Sequence, residues 1–299
     1  MTNHKHLRNV IEDIYSNDNQ LTEELTFKLI NEFRYSNLYI PAKRANGTLN
    51  FIIYEDDGGK ITPLFTDQDE FHKFFKDEDD IQIIQNSFEL YQNILKTSAI
   101  EGYILNPASE KYLFKKEFIL SIKHIPKTNF YSSNPYSKEE LKDLKDSMDN
   151  SALEGFIENP NNIGDYERLF EHMADSTFLT LMLSDLNLKA DDGIIDLRET
   201  GPKASMHVDR IGGEYATIFT SEGKMKSIKT DKIKYSQIVN LATLVNFVLT
   251  EDLDGIVLNP ETDNVLITRT TLLKYSLGFE RYANNEKLAM SIFYMFPIK

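Results

Sequence analysis

One short motif occurs twice in this chain, and this repetition constrains the fold more than any other feature of the sequence. The first copy reads Gly-Tyr-Ile-Leu-Asn-Pro over residues 102–107, and the second reads Gly-Ile-Val-Leu-Asn-Pro over residues 255–260. A short apolar run follows each copy. Self-similarity at a long spacing is typical of a chain that folds the same supersecondary unit twice. The sequence therefore predicts two tandem copies of one α/β unit.

Further matches upstream of the motif extend both copies. They are a Phe-Thr step, a Gly pair and a serine just before an apolar run: Phe65-Thr66 with Phe219-Thr220, Gly58-Gly59 with Gly212-Gly213, and Ser36 with Ser176. The offset between the copies grows from 140 residues at the serines to 154 at the Gly pairs. The second copy therefore carries a 14-residue insertion, placed around residues 189–203, where Asp191-Asp192-Gly193 is a loop signal.

Composition narrows the class of protein. A chain of 299 residues is long enough for about two domains. Its net charge of −14 disfavours nucleic acid and anionic membranes, since both partners are polyanions. The absence of cysteine excludes thiol nucleophiles, disulfides and Cys-ligated metals. We see neither a signal peptide nor an apolar run long enough to cross a membrane, so the sequence predicts an acidic cytoplasmic protein.

The spacing of apolar residues predicts an α/β (α+β) fold in which each copy is a mixed β-sheet packed with α-helices. The first α/β domain spans 1–126 and includes an N-terminal helix. A linker over 127–164 carries one helix, opened by a capping box at Ser137. The second, divergent domain spans 165–299 and includes a C-terminal extension.

Several local expectations follow from propensity. Pro41 should end strand pairing or mark an edge, because it has no main-chain donor. Ile238 should belong to the long helix that precedes Gly255. Thr66 or Asp67 should cap a short helix with inward-facing phenylalanines. His4 and His6 should lie in a mobile, polar N-terminal tail.

The Asn-Pro step should close a turn in both copies. Proline should restrict Asn106 to extended geometry, while the Asn side chain bonds nearby main-chain groups. Recurrence at Asn259 indicates that the turn is needed twice. A structural role is favoured over a ligand contact, and both remain open. The recurring polar residues, Thr66 with Thr220 and Asn106 with Asn259, are therefore candidate binding residues together with Asp67.

Three segments of the first copy resemble the N-terminal domain of the SseB family, which is named for enhanced serine sensitivity. They are Leu38-Tyr39-Ile40-Pro41, Leu64-Phe65-Thr66-Asp67 and Ile104-Leu105-Asn106-Pro107. The resemblance covers residues 20–122 and, more weakly, 165–276. The second copy departs from it at Leu181 and Ser221, where the first has Pro41 and Asp67. The resemblance implies no catalytic residues.

A search for catalytic motifs agrees with that implication. The chain has no nucleophile elbow, phosphate-binding loop, dinucleotide fingerprint or HExxH zinc motif. Its six histidines are scattered, and none recurs between the copies. The sequence therefore predicts no catalytic residue, no metal site and no cofactor. An alternative remains, in which an enzyme or small-molecule sensor uses a pocket between the repeats with His207, Asp209 and the loop at Asp191.

A basic segment stands out in this acidic chain. It contains five lysines between residues 224 and 234, of which Lys226, Lys229 and Lys232 are candidate binding residues. Such a run is typical of a solvated face, and it also suits an acidic partner surface. The sequence predicts a non-catalytic interaction or regulatory protein with a protein partner, with homo-oligomerisation as a further possibility.

Overall fold

The computed structural model describes residues 4–45, 47–56, 59–76, 80–122, 136–162, 164–185, 187–191, 193–196, 205–206, 208–210, 213–276 and 294–298. The chain divides into two compact units, Met1–Ile125 and Pro126–Lys299. Both units combine helices with sheets, so the predicted mixed α/β class is confirmed. Among the described residues, no helix is both long and apolar enough to cross a membrane.

Five helices are described in the first unit. They are α1 (Lys5–Ser16), α2 (Glu23–Tyr35), α3 (Gln68–Phe74), α4 (Phe88–Thr97) and α5 (Lys116–Ser121). Helix α1 buries an apolar stripe because its apolar residues recur every three to four positions, as the sequence predicts. Helix α2 begins at Thr22, whose hydroxyl accepts a bond from the Leu25 N–H.

The strands of the first unit form two joined sheets. They are β1 (Tyr39–Ala45), β2 (Thr48–Phe51), β3 (Tyr54–Asp56), β4 (Gly59–Leu64), β5 (Ile81–Gln85), β6 (Gly102–Leu105) and β7 (Tyr112–Lys115). One sheet has the order β2-β1-β5 and the other has the order β3-β4-β6-β7. Strands β4 and β6 are parallel, and the other pairs are antiparallel. Tyr39 and Phe65 exchange two main-chain bonds of 2.8 Å that join the sheets.

Pro41 lies inside β1 rather than at a strand end or an edge. It faces Ile83 of β5, and pairing with β2 begins only at Ala42. The Pro41 carbonyl accepts a bond from the Ile52 N–H at 3.1 Å. The missing donor of Pro41 therefore falls on the β2 side, just before that ladder starts, so the proline interrupts neither pairing.

Helices and strands of the second unit follow a similar order. The helices are α6 (Lys138–Asp146), α7 (Ser151–Ile157), α8 (Tyr166–Asp175), α9 (Glu222–Lys226), α10 (Leu241–Thr250) and α11 (Arg269–Ser276), with a 3₁₀ turn at Pro160–Asn162. The strands are β8 (Phe178–Ser184), β9 (Ile195–Asp196), β10 (Ser205–Met206), β11 (Val208–Arg210), β12 (Glu214–Phe219), β13 (Ile233–Val239), β14 (Gly255–Leu258), β15 (Val265–Thr268) and β16 (Tyr294–Pro297).

Three expectations for the second unit need correction. The predicted linker contains two helices rather than one, and both pack into the core of this unit through Leu141, Leu153 and Phe156. Ile238 lies in β13, and helix α10 begins only after the cap residue Asn240. A buried apolar run of this kind suits a strand and a helix equally well, so the pattern alone did not separate them. The predicted insertion contains β9 rather than loop alone, and its residues 192 and 197–203 lie outside the described residues.

Strand pairing in the two units follows the same registers. The parallel pair begins with Ile61 opposite Gly102 in one unit and with Tyr215 opposite Gly255 in the other. The Phe of the Phe-Thr step faces Tyr39 in the first unit, and Phe219 faces Leu179 in the second. This agreement fits the sequence alignment, while a common origin of the two units stays a prediction.

Close packing requires the glycine that begins each motif. A Cβ atom on Gly102 would collide with the Phe114 carbonyl, and one on Gly255 would collide with the Ile267 carbonyl. Gly255 also has φ +147°, in a region that other residues rarely adopt. The glycine therefore permits close approach of the following antiparallel strand in both units.

Candidate functional site

The Asn-Pro turn joins the carboxyl ends of the parallel strands in the first unit. Asn106 has φ 42°, so it is left-handed rather than extended as predicted. Its N–H donates to the Leu64 carbonyl at 2.9 Å, and its own carbonyl accepts from Ser109 and Lys111. Asn tolerates the left-handed region better than most residues, and these bonds outweigh the usual preference of a residue before proline.

The side chain of Asn106 completes a buried hydrogen-bond network. Its Oδ1 accepts from the Thr66 N–H at 3.0 Å. Its Nδ2 donates to Thr66 Oγ1 at 3.0 Å and to Glu110 Oε2 at 2.7 Å. Asn106 and Thr66 are fully buried. The amide therefore ties the end of β4 to the turn after β6, and its bonding capacity is used inside the unit.

The second unit repeats the three hydrogen bonds of this network. Asn259 has φ 50°, and its Oδ1 accepts from the Thr220 N–H at 3.0 Å. Its Nδ2 donates to Thr220 Oγ1 at 3.0 Å and to Asp263 Oδ2 at 2.7 Å. Asp263 thus takes the place of Glu110. The site shared by both units is an Asn, a Thr and a carboxylate, and we call it the Asn-Thr-acid network.

Opposite charges surround the network in the two units. In the first unit, Arg8 of α1 lies 2.6 Å from Glu110 and 3.4 Å from Glu70. In the second unit, Glu154 of α7 accepts from the Thr220 hydroxyl and lies 3.7 Å from Lys224. Lys224 aligns with Glu70. Helix α1 therefore places a cation, Arg8, beside acidic side chains in the first unit. Helix α7 places an anion, Glu154, beside a lysine in the second.

The two helices that supply these charges are anchored alike. His4, the residue before α1, contacts the Asn37 carbonyl at 3.2 Å. Asn150, the residue before α7, donates to the Thr177 carbonyl at 2.7 Å and to the Thr220 carbonyl at the same distance. Arg8 and Glu154 each lie four residues further on. His4 is buried and His6 lies within α1, so the expectation of a mobile tail is wrong for both residues.

Helix caps follow the network in both units. Asp67 is the N-cap of α3, and its Oδ1 accepts from the Glu70 N–H at 2.9 Å. Ser221 is the N-cap of α9 and accepts from the Lys224 N–H at 3.4 Å. The sequence offered Thr66 or Asp67 as the cap. The structure assigns the cap to Asp67, and the Thr66 hydroxyl donates to the same carboxylate at 2.8 Å.

Glu70 is a buried carboxylate of the first unit with several polar partners. Burial alone would raise its pKa. Hydrogen bonds from Lys73 at 2.5 Å and Ser109 at 2.6 Å, with the charges of Lys73 and Arg8, outweigh burial and lower the pKa below its ordinary value. The carboxylate is thus held ionised by neighbours that also hold it in place.

Acid should therefore weaken the first unit through Glu70. A lowered folded pKa contributes stability above the unfolded pKa of about 4.3, and this contribution is lost as pH falls through the folded value. We expect the free energy of unfolding to fall more steeply between about pH 5 and 3 in the parent chain than in Glu70→Gln. Urea unfolding across that range measures the slopes. Glu89→Gln, on the exposed face of α4, is the control, and equal slopes for the parent and Glu70→Gln would contradict the assignment.

The lysine segment divides into two groups. Lys224 turns inward and donates to Asp263 at 2.6 Å, while Lys234 donates to the Ile228 carbonyl. Lys226, Lys229 and Lys232 are exposed. Their nearest carboxylates are 3.5 Å away for Lys226 and 3.7 Å for Lys232, and the two lysines are about half exposed. Only these three lysines present charge to solvent, so they stay candidates for an acidic partner.

Other sequence candidates contribute no described site. His207 lies outside the described residues, as does the side chain of Asp209. His172 packs on Phe156. Over the residues that the structure describes, no three His, Asp or Glu side chains are grouped to hold a metal ion. No known family model, curated protein or solved structure matches the chain, so the resemblance to the SseB domain rests on the quoted motifs alone.

Sequence reasoning missed four members of the site, namely Arg8, Glu110, Glu154 and Asp263. A signal for the two acids was present, because each copy continues as Asn-Pro-x-Ser/Thr-Glu/Asp, with the acid four residues after the Asn. No comparable signal marks Arg8 and Glu154, because a sequence comparison does not align residues of opposite charge.

Proposed function

We propose that this chain acts by binding another protein rather than by catalysis, as an interaction or regulatory protein built from two SseB-like domains. One observation carries the proposal: the polar side chains that recur in both units are buried and bonded to one another. Groups engaged in this way hold a turn and leave no paired acid and base for chemistry. What differs between the units is their charged and apolar surface, as expected of a module used for different contacts. A cytoplasmic setting is part of this proposal.

Affinity capture with the immobilised full-length chain tests this proposal. We expect a reproducible set of proteins to be enriched from a lysate of its own cells over a bare support. The matched bait is the triple variant Lys226→Glu, Lys229→Glu and Lys232→Glu, since all three lysines are exposed. If the lysine segment contacts an acidic partner, this bait should capture less, and the difference should shrink as salt screens charges beyond about 10 Å at 0.1 M.

The outcomes separate the two ideas. Enrichment of nothing above the bare support at low salt would overturn the binding proposal. Equal capture by both baits across a salt series would remove the lysine segment and leave the binding proposal standing.

A further inference from the structure

One sheet edge is paired in the second unit, and the corresponding edge of the first unit has no partner strand among the described residues. Strand β13 lies between β8 and β16, so both of its edges are used. The corresponding strand of the first unit is β5, because Gln85 faces Tyr39 as Ile238 faces Leu179. In the described part of the chain, β5 pairs only with β1. An unpaired edge presents a row of main-chain donors and acceptors to an added strand.

The main chain of β5 is oriented for such an addition. Ile83 faces Pro41, which has no N–H and whose carbonyl is bonded to Ile52. Residues that face each other in an antiparallel pair alternate between positions that exchange main-chain hydrogen bonds and positions that do not. Ile83 and Pro41 occupy a position that does not, so the N–H and carbonyl of Ile83 point to the outer edge. The aligned residue in the second unit, Ser236, faces Phe296 of β16.

A hydrophobic cluster lies beside this edge, and only its partly buried members are accessible to solvent. We call it the aromatic cluster, and it consists of buried Phe65, Phe71, Phe75 and Ile81 with partly buried Tyr39, Ile52, Tyr54, Phe74 and Ile83. The matching cluster of the second unit includes Leu179, Phe219 and Met225, which align with Tyr39, Phe65 and Phe71. There it is completed by Phe296 of β16 and by Leu141 of α6. The aromatic cluster has no contribution from such elements among its members.

The charge at the end of β5 indicates which charge a segment bound at this edge should carry. Strand β16 runs antiparallel to β13, and the Ile298 N–H donates to the Lys234 carbonyl at 3.1 Å. Lys234 aligns with Ile81, so a segment docked on β5 in the same way would place its next residue beside Asp80. Asp80 is more than half exposed and pairs with Lys43, and it is the last of four consecutive acidic residues in the sequence. A basic residue at that point complements this charge.

From these features we infer that the edge of β5 and the aromatic cluster bind an extended segment of a partner protein. The segment adds as an antiparallel strand, sets an aromatic side chain on the aromatic cluster and places a basic residue beside Asp80. Main-chain bonds supply affinity in this mode, and the side-chain pocket supplies specificity. The inference rests on the proposed function, since it names the surface and the kind of partner.

A peptide with the sequence of residues 292–299, Ile-Phe-Tyr-Met-Phe-Pro-Ile-Lys, is the probe, because it carries the strand that closes the second unit. Fluorescence anisotropy with the full-length chain should show saturable binding, and hydrogen exchange should show new protection at residues 81–85. Ile83→Pro removes the outward N–H without removing a bond to β1, and it should weaken binding about tenfold or more. Ile83→Val keeps the edge and is the matched control.

Two further variants guard against a folding artefact. Ile83→Lys keeps the N–H but puts a charge on the aromatic cluster, and it should also weaken binding about tenfold. A peptide with Ala in place of its second Phe, the residue equivalent to Phe296, should bind more weakly to the unaltered chain. Unchanged binding in both cases would overturn the inference.

The remaining outcomes are also decisive. New protection at β13 alone would mean that the peptide exchanges with β16, and it would overturn the site. A concentration-dependent dimer abolished by Ile83→Pro would make the occupant a second copy of this chain. If affinity capture yields a partner whose binding Ile83→Pro leaves unchanged, the proposed function stands and this surface is wrong.

Discussion

Replacing Asn106 by alanine is expected to lower the free energy of unfolding by about 3 kcal/mol or more. The substitution leaves the buried Thr66 N–H without its acceptor, and each buried unsatisfied group costs about 1–3 kcal/mol. It also forces alanine into the left-handed region, which costs about a further 1 kcal/mol. The same reasoning applies to Asn259→Ala. Urea unfolding measures the loss, and hydrogen exchange should place it in the unit that carries the substitution.

Asn106→Gly separates the two causes. Glycine adopts the left-handed region freely but lacks the amide, so it should recover about 1 kcal/mol relative to alanine. Equal losses for both variants would remove conformational strain from the explanation. A normal free energy of unfolding together with lost partner binding would instead make Asn106 a contact residue.

Reversing Arg8 to Glu should destabilise the first unit by about 2–3 kcal/mol. The new carboxylate would lie among Glu70, Glu110 and Asp67, where Arg8 now makes three ion pairs. These acids are largely buried and poorly screened, and a partner left without its counter-charge is costly. Urea unfolding and hydrogen exchange of residues 59–122 check the effect.

The second unit shows how to rescue this variant. Adding Glu70→Lys recreates the pair of Glu154 with Lys224, and Lys73→Ser removes a like charge three residues away, since Ser227 aligns with Lys73. The triple variant should regain most of the lost stability. The matched control is Arg8→Glu with Lys73→Ser alone, which should not recover. If the changes in the free energy of unfolding at positions 8 and 70 simply add, the two positions are not coupled, and the ion pairs contribute little.

Local patterns predicted much of the fold and part of the site. The stripe of α1, the turns at Asn106 and Asn259 and the strands around the Phe-Thr steps all follow from apolar period and turn chemistry. The left-handed Asn106 did not, because bonds to Leu64, Ser109 and Lys111 override the rule for a residue before proline. Pro41 was misassigned for a related reason: which side of a strand lacks a donor depends on its neighbours, and these are set by tertiary pairing.

The charged residues around the network could not be predicted by comparing residue identities between the two copies. Arg8 lies more than 100 residues before Glu110 in the chain, so no local pattern connects them. The helices α1 and α7 align only once their caps, His4 and Asn150, are seen to bond the same position of each unit. Complementary changes at two aligned positions preserve an ion pair while they erase the sequence similarity that would reveal it.

The reversed charges also affect whether each helix docks on its own unit during folding. Two neighbouring units of like topology risk exchanging helices, which is a common failure of tandem proteins. Helix α1 placed on the second unit would bring Arg8 to Lys224, and α7 placed on the first would bring Glu154 to Glu70. Each helix would therefore meet a like charge in place of its partner at position 70 or 224, although Asp263 would still attract Arg8. The variant Arg8→Glu, Glu70→Lys, Lys73→Ser lacks this discrimination even if it regains its stability, so it should refold from urea with a lower yield of native protein than the parent chain.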